Sequence, residues 1–294
     1  MATTTQLALP VRAASPLALW HLLSLDAPTV AALWTLFIAR TADVRLPLIA
    51  PLAMALGVWI LYAADRLLDA RREHRSIRPA NLEARHLFHH KHRRRFLAAI
   101  CTATAALGAM LPLLDRAAIA LYLIEGALLA VWFGVLHATR NADRLPKEIA
   151  VGLFFSAAVF IPTVAREPAQ RPALAPAAVL FAVLCALNCL FIYRWEHTVE
   201  VRLHSATQPP HLTTRLALSR LHPLTLATIA AAILLTGLMP AAERLISAAC
   251  VLSAALLLAL DSRRDHLSRV HLRAAADAAL LTPLLLMPLI LLLR

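Results

Sequence analysis

Four long stretches of the chain carry no charged side chain, and this feature constrains the fold more than any other. They are 46–64, 96–114, 172–193 and 223–242. The hydrocarbon core of a bilayer is about 30 Å thick and an α-helix rises about 1.5 Å per residue, so about 20 apolar residues span it. Each of these stretches therefore predicts a transmembrane helix.

Five further segments are apolar but shorter or interrupted: 27–42, 117–139, 149–165, 245–260 and 274–293. Only 16% of the residues are charged, below the roughly 25% of soluble domains. The apolar runs are continuous and rich in Ala and Leu, which favours helices over strands of alternating hydropathy. We therefore predict an all-α integral membrane protein with about nine transmembrane helices in one bundle.

The connections between these segments are too short for a separate soluble domain, so residues 1–294 form a single transmembrane domain. The N-terminal segment 1–26 is not a predicted span. Within it, residues 16–25 predict a helix that lies on the membrane and ends before Asp26, which is suited to cap the first span.

The positive charges predict the orientation of the bundle. With the N-terminus inside, most of the 29 Lys and Arg residues fall in 1–26, 65–95, 140–148, 194–222 and 261–273, on the cytoplasmic side. The net charge of +12 is therefore a signal of topology, and it gives no reason to expect a nucleic-acid partner.

Two predicted helix ends carry the same pattern of one tyrosine and two acids. The second span ends with Tyr62, Asp65 and Asp69, and the sixth ends with Tyr193, Glu196 and Glu200. The i, i+4 spacing puts both acids of a pair on one helical face, with the tyrosine one turn below. The match predicts two related four-helix halves followed by a ninth helix, with both acidic motifs on the cytoplasmic side.

Each acid pair lies near a helix C-terminus, where like charges repel and the helix dipole disfavours anions. A cation is therefore expected beside them. Mg²⁺ is a natural candidate because one or two carboxylates, water and substrate phosphate satisfy its coordination. In the other interpretation, Arg66, Arg71, Arg72 and Arg194 neutralise the acids as ordinary surface ion pairs.

This pattern resembles the UbiA-type intramembrane prenyltransferase superfamily over nearly the whole chain. Members of that superfamily carry an Asn-Asp-x-x-Asp-x-x-x-Asp motif on the second of nine helices and an Asp-rich motif on the sixth. Asp65 and Asp69 match the last two acids of the first motif, and Glu196 and Glu200 match those of the second.

The resemblance implies that the chain binds a prenyl diphosphate through Mg²⁺ held by these four acids, and transfers the prenyl group to an acceptor that the sequence does not name. In this interpretation magnesium and nearby cations stabilise the charge that develops on the leaving diphosphate. We expect the diphosphate to be bound by Tyr62, Arg66, Arg71, Arg72, Lys147, Tyr193 and Arg194.

A second interpretation is a non-catalytic protein of the same fold that binds an isoprenoid or another lipid, or organises a partner enzyme. It is favoured by Leu61, which stands where the family has Asn, and by the longer Glu side chains of the second motif. The four retained acids favour the enzyme. A transporter with inverted repeats is a third and more distant interpretation, because both motifs end on the same side.

The most polar segment, 70–95, forms a basic, His-rich cytoplasmic loop in this prediction. His86 and His90 are spaced as zinc ligands on a helix, although no nearby Cys or carboxylate completes a ligand set. The alternative is a cap that attracts anionic lipid head groups or the diphosphate.

Three polar residues fall inside predicted spans. Glu125 is expected to face the bundle interior, where it either recognises an acceptor, takes a proton, or is a protonated packing residue. Asn188 is expected to make an interhelical hydrogen bond, and Asp277 to pair with Arg273 one turn earlier.

Overall fold

The computed structural model describes residues 15–76, 84–138, 146–203, 211–238 and 241–292. Within these ranges only the backbone is described at 69–76, 84–87, 133, 136–138, 197–203, 241–243 and 291. The regular secondary structure of the described residues is entirely helical, which confirms the all-α prediction.

The α-helices of the described part are, in chain order, α1 (Pro16–Leu22), α2 (Asp26–Thr41), α3 (Ile49–Ser76), α4 (Ala84–Lys91), α5 (Arg93–Met110), α6 (Arg116–Ala138), α7 (Lys147–Arg166), α8 (Arg171–Leu203), α9 (Leu212–Ser219), α10 (Leu221–Leu238), α11 (Ala241–Ser262), α12 (Arg269–Ala278) and α13 (Pro283–Leu292). Short 3-10 turns follow α5, α7, α11 and α12.

Seven helical segments in the described residues are long and apolar enough to cross a membrane: Ile49–Leu68, Arg93–Leu113, Lys147–Arg166, Pro168–Glu196, Leu221–Leu238, Arg244–Ser262 and Arg269–Ile290. The pair α1 and α2, which meet at a bend of 91°, adds an eighth if it is counted as one span. These lengths and compositions indicate an integral membrane protein. The number nine and the division into two four-helix halves stay predictions.

Helix α2 lies at the centre of the bundle. It packs against α3, α7, α11, α12 and α13. Its large side chains Trp34, Phe37 and Ile38 are completely buried, and the Trp34 ring lies 4.1 Å from that of Phe181 between ring centroids. Because lipid tails provide no hydrogen-bond partner, the Trp34 indole must find one in the protein, and it donates to the carbonyl of Leu280 at 2.7 Å.

The last predicted span is a broken helix, because α12 and α13 are separated by a 3-10 turn at Ala279–Leu281 before Pro283. A proline has no backbone N–H and leaves carbonyls of the preceding turn without a helical donor. Trp34 satisfies the Leu280 carbonyl, while the Thr282 hydroxyl donates to the carbonyl of Ala249 at 2.9 Å on α11. The break is therefore buried against α2 and α11.

Helices α7 and α8 approach each other closely at Gly152. A Cβ at this position would lie 2.4 Å from the carbonyl oxygen of Ala182, a contact that side chains do not make. Ser156, one turn further along α7, donates to the carbonyl of Ala178 at 2.7 Å. A glycine is thus required for the two backbones to meet, as is common between membrane helices.

The predicted polar loop 70–95 is largely helical in the described residues. Helix α3 continues past the apolar span to Ser76, and α4 packs against α1, α3 and α5. Phe96 at the start of α5 packs on Ala63 and Leu67 of α3. The C-terminal end of α3, the bend between α1 and α2, and the start of α5 therefore lie at one end of the bundle, which we call the polar end.

Candidate functional site

Asp26, the first residue of α2, is completely buried at the polar end. Its carboxylate accepts a hydrogen bond from Nδ1 of His21 at 2.5 Å and lies 3.2 Å from Nη2 of Arg66 on α3. The sequence prediction that Asp26 caps the helix is wrong by one position, because Leu25 is the N-cap residue and makes no side-chain cap. Asp26 instead joins the first bend of the chain to α3.

Ser24 holds the bend between α1 and α2. Its backbone is in the left-handed region, with φ of 59°, which is unfavourable for a residue other than glycine. The buried hydroxyl compensates, since it lies 3.0 Å from Nη1 of Arg66 and 3.1 Å from Nε2 of His89 on α4. Arg66 also donates to the carbonyl of His21 at 2.7 Å. The bend is therefore fixed by side chains from α3 and α4.

Asp277 on α12 brings the C-terminal part of the chain to the same place. One ligand atom from each of His21, Asp26 and Asp277 lies within 4.8 Å of the other two, and all three residues are buried. Asn188 on α8 donates from Nδ2 to Asp277 at 3.0 Å, which confirms its predicted interhelical hydrogen bond. We call His21, Asp26, Arg66, Asn188 and Asp277 the ion cluster.

The charges of the ion cluster decide what it can bind. Two carboxylates face one guanidinium, so one added proton on His21 or a carboxyl makes the cluster neutral. A divalent metal bound by His21, Asp26 and Asp277 would instead leave one net positive charge beside Arg66, in a region where uncompensated charge is costly. The arrangement is therefore better suited to hold a proton than a metal.

The motif acids lie at the same end of the bundle but not within the ion cluster. Asp65 on α3 is exposed, and Glu196 on α8 is half-buried and forms an ion pair with Arg273 of α12. The side chains of Asp69 and Glu200 lie outside the described residues. Within the described part, the three-ligand group is that of the ion cluster, and neither Asp65 nor Glu196 belongs to it.

The residues expected to bind a diphosphate fall into different surroundings. Arg66 is buried in the ion cluster, with its guanidinium 5.0 Å from the centroid of the Tyr62 ring. Lys147 is exposed at the first residue of α7, and Tyr193 is half-buried on α8. The side chains of Arg71 and Arg72 lie outside the described residues.

Arg194, the remaining basic residue of that set, belongs to a second group around Asp261 of α11. The buried Asp261 carboxylate accepts from Trp195 Nε1 at 2.8 Å and contacts His222 Nε2 at 2.7 Å. Arg194 and Arg264 approach it to 3.4 and 3.3 Å. We call this the Asp261 cluster; it ties together the ends of α8, α10 and α11.

The predicted His-rich segment takes part in the polar end through His89, which contacts the Ser24 hydroxyl. His89 is not one of the two residues of the predicted zinc pair, His86 and His90. The side chain of His86 lies outside the described residues, so the zinc site stays a prediction. Residues 90–95, all basic, form a cleft at the start of α5. That position suits the alternative of a cap that attracts anionic groups.

Sequence reasoning missed the roles of His21, Asp26 and Asp277. Asp277 is predicted to pair with Arg273, whose charge does act on it, and the structure adds Asn188 as a hydrogen-bond partner. An Asp in an apolar segment was the available signal, since buried acids in membrane helices require a partner. The partner itself could not be found by spacing, because His21 and Asp277 are far apart in sequence.

Comparisons with protein-family models, with curated proteins and with solved structures gave no match for this chain.

Proposed function

We propose that the polar end of this protein binds a prenyl diphosphate and that the protein transfers the prenyl group to an acceptor, as members of the UbiA-type superfamily do. The observation that carries the proposal is that both motif helices contribute side chains to one buried cluster at the polar end. Arg66 of α3 and Asn188 of α8 belong to one ion cluster, although they come from different predicted halves of the chain.

The surroundings of this end are favourable to a diphosphate. Residues 90–95 place six basic or His side chains beside the α3 end, and Lys147 is exposed at the start of α7. In the proposed orientation, with nine spans and the N-terminus inside, all of these face the cytoplasm. The apolar bundle then receives the prenyl chain while the charged group stays at the interface.

Magnesium is part of the proposal through the four motif acids, Asp65, Asp69, Glu196 and Glu200. Asp65 and Glu196 do not make a three-ligand site by themselves, so the metal depends on Asp69 and Glu200. When bound, Mg²⁺ would neutralise charge on the departing diphosphate. The protein's own contribution is to hold the diphosphate with basic side chains and to exclude water from the prenyl chain.

One observation favours a second candidate, a non-catalytic protein that binds an isoprenoid or lipid. Glu196 is paired with Arg273, and Arg66 is directed inward at Asp26. One motif acid and one expected diphosphate contact therefore form ion pairs within the bundle. In this alternative the polar end retains a lipid or diphosphate without cleaving it.

The test is binding of farnesyl diphosphate to purified, detergent-solubilised protein with and without Mg²⁺. Asp69→Asn and Glu196→Gln should weaken magnesium-dependent binding by more than about tenfold, since each removes a charged metal ligand. Glu167→Gln, which changes an exposed acid at the end of α7, is the control. If binding did not require Mg²⁺ and neither motif variant weakened it, only the non-catalytic binding protein would remain as a candidate.

Release of inorganic diphosphate separates the two candidates once binding is established. An enzyme supplied with prenyl diphosphate, Mg²⁺ and a membrane extract should release diphosphate, and Asp69→Asn should abolish the release. Tight binding without any release in several extracts would favour the non-catalytic protein.

A further inference from the structure

A groove of about 670 Å³ lies between α6, α7 and α8, away from the ion cluster. It exists because small side chains on α7 and α8, Ala157, Ala175 and Ala178, leave space between larger apolar neighbours. Phe154 and Phe160 line the same groove. Its volume is in the range of small-molecule sites in proteins.

Glu125 lines this groove although it lies deep along α6. It is nine residues from the first residue of that helix, or about 13 Å at 1.5 Å per residue. The sequence predicts that this acid faces the bundle interior. The structure places it, half-buried, in a groove that is open on one side. An acid at this depth is costly unless a polar or charged group meets it.

The Glu125 carboxyl has one neutral partner, the backbone of Ala158, with which it forms a hydrogen bond. Pro162 has no N–H, which frees the carbonyl of Ala158 one turn earlier, and the hydroxyl of Tyr122 donates to that carbonyl at 3.1 Å. Arg171, the basic residue that lines the groove, donates to the carbonyl of Val164 at 3.3 Å.

Val164 is six residues further along α7 than Ala158, the residue beside which the Glu125 carboxyl lies. This separation corresponds to about 9 Å along the helix. Arg171 therefore lies at one end of the groove, and Glu125 lies further inside it.

We propose that the groove binds a lipophilic monovalent cation, with the apolar body between α6, α7 and α8 and the positive centre against Glu125. Charge complementarity identifies the ligand class, because the neutral backbone of Ala158 does not balance a carboxylate in hydrocarbon, whereas a monovalent cation does. This site lies on other helices than the proposed prenyl diphosphate site and does not depend on it.

Binding of tetraphenylphosphonium to the purified full-length protein tests the proposal. We expect saturable binding to one site by equilibrium dialysis. Glu125→Gln should weaken this binding at least about tenfold, because the variant leaves the buried cation without its counter-charge. Glu125→Asp should retain binding to within about threefold. Glu167→Gln, an exposed acid outside the groove, should leave binding unchanged.

A neutral probe of similar size, triphenylphosphine oxide, tests the role of charge separately. It should bind at least about tenfold more weakly than tetraphenylphosphonium. Equal binding of the two probes, or cation binding that Glu125→Gln does not change at an unaltered melting midpoint, would overturn the proposal. A stable dimer that covers the groove and binds neither probe would also overturn it.

Discussion

In both the ion cluster and the Asp261 cluster, basic side chains surround a buried aspartate. Only the ion cluster is closed, which means that the basic partners are buried as well. Asp26 and its partners His21 and Arg66 are all buried, and Asp277, a second acid, lies beside them. The Asp261 side chain is 4% exposed, whereas that of its partner His222 is 50% exposed and those of Arg194 and Arg264 are about a third exposed or less.

This difference determines what happens when a partner is removed. In the Asp261 cluster water can solvate the cations that lose their carboxylate. In the ion cluster no water replaces the single guanidinium, so its removal leaves an uncompensated negative charge. Loss of the group that carries the opposite charge should therefore cost the closed cluster more than the open one.

The largest expected effect is that of Arg66→Met, which leaves Asp26 and Asp277 facing each other without their guanidinium. We expect a loss of about 3–5 kcal/mol of stability, measured as a lowered melting midpoint in detergent. The double variant Arg66→Met/Asp26→Asn should recover most of this loss, because it removes the buried charge as well. A single variant that melts like the unmodified protein would show that the cluster is not closed.

Asp261→Asn should have an intermediate effect of about 1–2 kcal/mol. The amide oxygen can still accept a hydrogen bond from Trp195, while Arg194 and Arg264, each about a third exposed or less, can turn to solvent. The melting midpoint gives the size of the loss, and the fluorescence of the tryptophans reports on the surroundings of Trp195. A loss as large as that of Arg66→Met would remove the contrast between the two clusters.

Asp277→Asn should change stability at neutral pH by less than about 1 kcal/mol, since it leaves Asp26 and Arg66 as a neutral pair. The substitution should instead change how the stability of the protein depends on pH. From its charges we assign the native cluster one proton that the unfolded chain has lost above about pH 6.5, where a free His is neutral. Stability of the unmodified protein should therefore fall as pH rises above that value, by up to about 1.4 kcal/mol per unit.

Melting midpoints between pH 6 and 9 test this expectation. The variant should give a flatter profile than the unmodified protein, because its cluster is neutral without the proton. Parallel profiles would mean that the cluster does not hold the proton we assign to it.

The smallest expected effect is that of Arg264→Gln, less than about 0.5 kcal/mol. Its side chain is a third exposed, and it is one of several donors to Asp261. Arg263→Gln, a neighbouring exposed arginine, is the matched control. If Arg264→Gln destabilised the protein much more than Arg263→Gln, the Asp261 cluster would be as dependent on each partner as the ion cluster.

The fold was more predictable from the sequence than the site. Uncharged runs such as 172–193 identify helices because the thickness of the membrane sets their length, whatever their neighbours are. Even the helix at Pro16–Leu22 was expected. The extension of α3 to Ser76 was not, because a polar helix outside the membrane leaves no long apolar run.

The site depends on which helices are neighbours, and spacing along one helix does not carry this information. The i, i+4 pattern assigns Asp65 to a metal and Arg66 to a diphosphate, but Asp65 is exposed and Arg66 is buried against Asp26. His21 and Asp277 meet only because α1 packs against α12. Contacts of this kind become visible only in three dimensions.

The central position of α2 has a consequence for how the protein is made. With 16 residues it is about 24 Å long, shorter than the hydrocarbon core. The helices α11, α12 and α13 that pack against it lie much further along the chain. During synthesis α2 therefore leaves the ribosome before these neighbours exist, and it reaches its final packing only after α13 has been made.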